Sequence, residues 1–131
     1  MPLLLQPAVE ADIPKLPEIQ FAAFGEDSFM AIMFPPIPSA ESRLKAIERT
    51  FDDLKDPYIT LIKVIDTDLD NEIIGFGRWH IYRHERPESE WNTEQKRQWG
   101  AGINVEAADT FFTAVQKKRK RIMAGKPHYR K

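Results

Sequence analysis

The sequence predicts an α+β domain of the α/β-sandwich type. It should hold a short antiparallel sheet flanked by about three helices, in the order β-α-α-β-β-α. Three observations carry this. Two β-rich runs, Ile59–Ile65 and Glu72–Arg83, are separated by Asp66-Thr67-Asp68-Leu69-Asp70-Asn71, a polar turn that indicates an antiparallel hairpin. Three other segments place apolar residues at helical spacing. Each of these is bounded by capping or helix-stopping residues.

Taken in order, Leu3-Leu4-Leu5-Gln6 is an apolar run stopped by Pro7, the pattern of a first strand. Asp12 is placed to cap the first helix, with Pro14 in its first turn. Ile13, Leu16, Gln20, Ala23 and Phe24 follow helical spacing, and Gly25 ends the run. Pro17 lies deep enough to remove a backbone bond, so a kink is expected. Glu26–Pro38 is a loop of unusual character, carrying Phe29, Met30, Ile32, Met33, Phe34 and Ile37 among three prolines. A loop this apolar must cover something. It is either a flap packed over the core or the wall of an apolar ligand pocket.

Ser39 caps the next helix, whose stripe is Leu44, Ile47, Phe51 and Leu54, with Pro57 beyond its end. After the hairpin, Glu85–Gly102 is polar, with Trp91 and Trp99 as isolated large apolar groups, and reads as a loop with one helical turn. Asn104 caps a last helix through Ala124, striped by Val105, Ala108, Phe111, Phe112, Val115, Ile122 and Met123. Gly125 is a helix-ending glycine and Pro127 prevents continuation. His128–Lys131 is compatible with the start of another strand.

With 131 residues the chain is one domain, 1-131. It has no cysteine, which excludes a disulfide framework, a thiol nucleophile and a thiolate metal site. A net charge of −1 supplies no global field toward nucleic acid. No apolar run approaches the ~20 residues of a membrane span, and Leu3–Leu5 is too short for a signal-peptide core. The expectation is a cytoplasmic protein with no nucleic-acid or membrane partner.

Several motifs fail on inspection. Asp66, Asp68 and Asp70 imitate the start of an EF-hand loop, but Asn71 replaces its central glycine and Gly77 its closing glutamate. Gly75-Phe76-Gly77 lies within a strand, which marks a bulge or a close backbone approach rather than a dinucleotide loop. His80 and His84 lie about 13 Å apart on a strand, too far to share one metal ion. No metal site and no cofactor is expected.

Strand alternation is more informative. Arg78, His80, Tyr82 and His84 share one face, continuing from Ile74 and Phe76, while Trp79 and Ile81 point the other way. The face is either a solvated strand end or a polar site. In the second case His80 and Tyr82 would move protons or hydrogen-bond, and Arg78 would bind an anion. In the basic run Lys117-Lys118-Arg119-Lys120-Arg121, Arg119 falls within the apolar stripe. Its stem either covers apolar surface with the head in water, or its guanidinium meets a buried acid or an anionic ligand.

The order of elements resembles the N-terminal half of a GNAT-type N-acetyltransferase, particularly the fungal members. The resemblance rests on Leu5-Gln6-Pro7-Ala8-Val9-Glu10-Ala11-Asp12-Ile13, on Phe21-Ala22-Ala23-Phe24, on Met33-Phe34-Pro35-Pro36 and on Ile73-Ile74-Gly75-Phe76-Gly77-Arg78-Trp79. It implies a truncated, GNAT-like domain that keeps the family's substrate side: the first two helices, their loop and the third strand. The family's Gln/Arg-x-x-Gly-x-Gly/Ala pyrophosphate loop does not occur, so no acetyl-CoA residue carries over.

The expected function is therefore that of a repurposed acetyltransferase-like protein that binds a small, largely apolar metabolite. Phe29, Met33, Phe34 and Trp79 would make the walls, Arg78 and Arg119 the anion anchors, and His80 and Tyr82 a cofactor-independent acid/base pair for proton transfer, cyclisation or isomerisation. Two alternatives stand beside it. One is acetyl transfer with acetyl-CoA held in a non-standard or dimeric site. The other is a non-catalytic dimerisation or regulatory module. With the family's next strand missing, Glu72–Arg83 would be an open edge, and a homodimer burying that edge and the last helix is expected.

Overall fold

A computed structural model describes residues 2–93 and 97–130. Residues 94–96 of the Glu85–Gly102 loop and Lys131 at the chain end lie outside the described residues. The architecture is α+β. Strands β1 (Leu3–Pro7), β2 (Ile59–Asp66), β3 (Glu72–Tyr82) and β4 (His128–Arg130) form one sheet in the order β1-β2-β3-β4, with every neighbouring pair antiparallel. The helices are α1 (Lys15–Phe24), α2 (Met30–Met33), α3 (Ala40–Lys55), α4 (Glu88–Trp91) and α5 (Val105–Met123). Three are long and two are single turns. The turn α2 interrupts the expected Glu26–Pro38 loop.

The expected caps on α3 and α5 form. Ser39 Oγ accepts from the Ser42 amide at 3.1 Å, and Asn104 Oδ1 from the Ala107 amide at 3.1 Å. The start of α1 differs from expectation. Asp12 does not cap it but closes a 3-10 turn, Glu10–Asp12, accepting from the Val9 amide at 2.9 Å. Because α1 begins only at Lys15, Pro17 lies in its first turn, where the amide has no intrahelical partner, so the expected kink loses its cause.

The polar link between β2 and β3 is a hairpin turn. Asp66 Oδ1 accepts from the Asp68 amide at 2.9 Å, and Asp70 and Asn71 take left-handed φ values of 56° and 59°. The register shifts between Val64 and Ile65, where Ile74 is the extra residue of a bulge. The bulge corrects the expected alternation. Ile73 packs toward the core with Phe76, and Ile74 is 42% exposed.

The core lies between one sheet face and helices α1 and α3. Ala8, Leu16 and Leu61 are buried there, with Leu54, Ile59, Ile73 and Phe76 packed around them. Burial of a side chain such as Leu16 or Leu61 contributes about 2 kcal/mol. Leu61 pairs with Arg78 and Ile59 with His80, so Arg78 and His80 lie on this covered face. Thr60 pairs with Trp79 on the opposite face.

The expectation of an open β3 edge is corrected at one end only. Strand β4 pairs with His80, Ile81 and Tyr82, and among the described residues the edge from Glu72 to Trp79 has no partner strand. No helix among the described residues is long and apolar enough to cross a membrane.

Candidate functional site

The apolar loop both packs and lines a pocket. Met33 is buried, and its carbonyl accepts from the Asn104 amide at 2.8 Å, fastening α2 to the start of α5. Phe29 meets Phe111 edge-on at 5.2 Å between ring centres. Both residues hold the loop in place, and neither lines the pocket beneath it. That pocket, of about 150 Å³, lies between the end of α1, the Pro-rich loop and the N-terminal half of α5. Phe34 lines it as expected, facing Phe21, Phe24, Met30, Trp99 and Phe112.

Trp99 is one of the residues whose role sequence reasoning missed, with Arg49 and Arg97 of the same pocket and Arg86 and Arg130 of a second one. Its ring lies 5.8 Å from Phe34 and 5.4 Å from Phe112, and its Nε1 donates to Asp109 at 2.8 Å. The signal was its isolation in a polar segment, since a large indole there needs an apolar partner. The neighbouring segment is tied to α3: the Ala101 amide donates to Glu41 at 3.1 Å, and a Cβ on Gly100 would fall 2.3 Å from Ser42 Oγ.

Two guanidinium side chains line the same pocket. Arg97 lies 4.5 Å from the Phe112 ring centre, and Arg49 reaches the pocket from α3. Burial lowers the pKa of both, and neighbouring guanidinium groups lower it further: Arg78 acts on Arg49, and Arg49, Arg78 and Arg119 act on Arg97. Both remain charged, but in surroundings already crowded with positive charge.

Arg78, one of the two expected anion anchors, is engaged elsewhere. Its Nε lies 2.7 Å from Asp53 Oδ2, within ion-pair range though not aligned as a hydrogen bond. Burial raises the Asp53 pKa in spite of Arg78. A second pocket, about 110 Å³, opens farther along α5 and is lined by Tyr82, Arg86, Arg119, Lys120 and Arg130 among others. Arg119 thus reaches a cleft rather than only covering apolar surface.

His80 and Tyr82 are placed unequally. Tyr82 is buried, its hydroxyl accepting from Arg130 at 3.0 Å and its ring 4.9 Å from that of His128. His80 lines neither pocket, and its Nδ1 is buried without a hydrogen-bond partner. Burial, then the charges of Arg130, Arg78 and Arg119, lower its pKa to about 4, so it is neutral at pH 7. Neither residue reaches the apolar pocket, which corrects their placement as its acid/base pair. Trp79 is corrected too. Strand alternation sends it to the far face, 40% exposed, with its indole over Gly77. His84 lies beyond β3 and is exposed.

Among the described residues no group of three or more His, Asp or Glu could hold a metal ion. Comparison with known proteins finds no matching family model, no matching curated protein and no matching solved structure.

Proposed function

We propose that this protein binds a small molecule made of one aromatic or compact aliphatic ring and an acidic group. The ring would occupy the pocket beneath the Pro-rich loop, and the acid would meet Arg49 and Arg97. The observation that carries this reading is the joining of six apolar walls to two guanidinium groups in one 150 Å³ space. A cavity of that volume holds about one benzene ring. Clustered guanidinium groups favour a carboxylate, which pairs with Arg through two parallel hydrogen bonds.

The resemblance to the substrate side of an acetyltransferase supports the location, because the first two long helices and their loop surround this pocket. Binding without turnover is the reading preferred, since neither His80 nor Tyr82 lines the ring site. A ligand of about nine heavy atoms would bind in the millimolar to submillimolar range at ordinary ligand efficiency.

Trp99 supplies the readout. Titration with benzoate, benzamide and benzylamine is expected to change Trp99 fluorescence, with benzoate at least tenfold tighter than benzylamine. Arg97→Gln should remove that preference. Equal binding of acid and amine, or no ring compound binding at millimolar concentration, would overturn the proposal.

A further inference from the structure

We propose that the second pocket, between β3, β4 and the C-terminal half of α5, binds a tetrahedral phosphate-type dianion, free or as a monoester, through Arg86, Arg119, Lys120 and Arg130. This site is independent of the ring pocket and of its proposed ligand.

Charge is the first argument. Four cationic side chains line the pocket against one carboxylate, Glu90. That carboxylate is already engaged, accepting from the Tyr58 hydroxyl at 2.9 Å. Among the described residues none of the four cations forms an ion pair. Like charges held this close repel one another, and a bound dianion would relieve that repulsion.

Geometry is the second. Arg86 and Arg130 are held in place before any ligand arrives. Arg86 Nη2 donates to the Ala124 carbonyl at 3.2 Å, and Arg130 Nη2 to the Tyr82 hydroxyl at 3.0 Å. Because Tyr82 accepts that bond, its own proton is free to donate into the pocket. Arg86 Nε is buried without a partner. A volume of 110 Å³ is enough for one tetrahedral oxyanion. A planar carboxylate offers two acceptor oxygens and one charge, and would leave part of this donor set unused.

The pocket joins three separated parts of the chain: the β3 end, the α5 end and β4. The basic run on α5 therefore has a structural division of labour. Arg119 and Lys120 are half-buried and line the pocket, whereas Lys117, Lys118 and Arg121 are exposed.

The test is calorimetric titration of the full chain with inorganic phosphate, methyl phosphate and acetate at fixed ionic strength, methyl phosphate being chosen because it lacks the ring that the other pocket would take. Phosphate or methyl phosphate is expected to bind at least tenfold tighter than acetate. The two phosphate arms separate a free anion from an ester: tighter methyl phosphate assigns an ester, equal or tighter inorganic phosphate a free anion. Arg119→Gln and Lys120→Gln should each weaken binding five- to tenfold, with Arg121→Gln unchanged as the exposed control. Using two separate pocket variants keeps the result readable if one fails to fold. Acetate binding as tightly as both phosphates, or equal weakening by Arg121→Gln, would overturn the site and show only nonspecific charge attraction.

Discussion

Arg86 lays its guanidinium 3.7 Å from the centre of the Tyr82 ring. The two residues are close in sequence, yet the contact needs the chain to turn back after β3, which a backbone bond from the Arg86 amide to the Gly125 carbonyl secures at 2.9 Å. Tyr82 thus ties the end of β3 both to Arg86 and to β4. Tyr82→Phe keeps the ring but removes the acceptor for Arg130, and should cost about 1 kcal/mol. Tyr82→Leu also removes the ring's cation–π contacts and should cost about 2 to 4 kcal/mol. Urea unfolding of the two variants checks the order, and equal losses would show that the ring contacts contribute nothing.

His80 makes stability depend on pH. The groups facing it are Arg130 from β4, Arg78 from its own strand, Arg119 from α5 and Asp56 after α3. Its folded pKa of about 4 lies below the ordinary value of 6.5, so the unfolded chain binds the proton more readily. Stability from neutral His80 is complete above pH 6.5 and falls as pH drops toward 4. Since the ring is only half-buried, the loss by pH 4.5 should be about 1 to 1.5 kcal/mol rather than the full value of the shift. Urea unfolding at pH 7 and pH 4.5 should show this loss in the parent chain and not in His80→Gln.

Asp12 links the start of α1 to the sheet. Its Oδ2 accepts from Lys63 Nζ at 2.7 Å and from the Val9 amide at 2.9 Å, and both charged side chains are only 14% exposed. Burial acts to raise its pKa, but the two hydrogen bonds and the Lys63 charge outweigh burial and leave it lowered. The carboxylate therefore stabilises the fold above its ordinary pKa and ceases to as it is protonated in acid. Asp12→Ala should lose about 2 to 3 kcal/mol at pH 7, because it strands the Lys63 charge as well as the Val9 amide. A chemical denaturation midpoint unchanged from the parent would contradict this.

The end of α5 predicts opposite effects at adjacent residues. Ala124, not Gly125, takes the positive φ, at 45° with ψ −129°. That backbone conformation suits glycine, so Ala124→Gly should stabilise by about 1 kcal/mol and raise Tm by several degrees. Gly125 is instead needed for close approach: a Cβ there would lie 2.3 Å from the Arg86 carbonyl and 2.8 Å from the Trp91 ring. Gly125→Ala should cost about 2 to 4 kcal/mol and weaken phosphate binding, because Arg86 would be displaced. Thermal melts of the two single variants are sufficient to compare them.

The local code determined a great deal. Ser39 and Asn104 fix two helix starts because their side chains bond amides only three residues away. The aspartate-rich turn fixes the hairpin for the same local reason. The apolar loop could be read as covering something, since Phe29, Met33 and Phe34 have to leave water somewhere. Which of them would line a pocket was not legible. That choice depends on Trp99 and Phe111, both distant in sequence from the loop. The Ile73–Ile74 exchange was equally hidden, because a bulge is decided by the partner strand. Alternation along β3 put Arg78, His80 and Tyr82 on one face, a relation that nearest-neighbour geometry settles alone. Only the tertiary structure could engage Arg78 with Asp53, set neutral His80 away from both pockets and give Tyr82 to a cluster built from α5 and β4. Spacing along one element specifies direction, whereas charge environment and enclosure are set by which other elements arrive beside it.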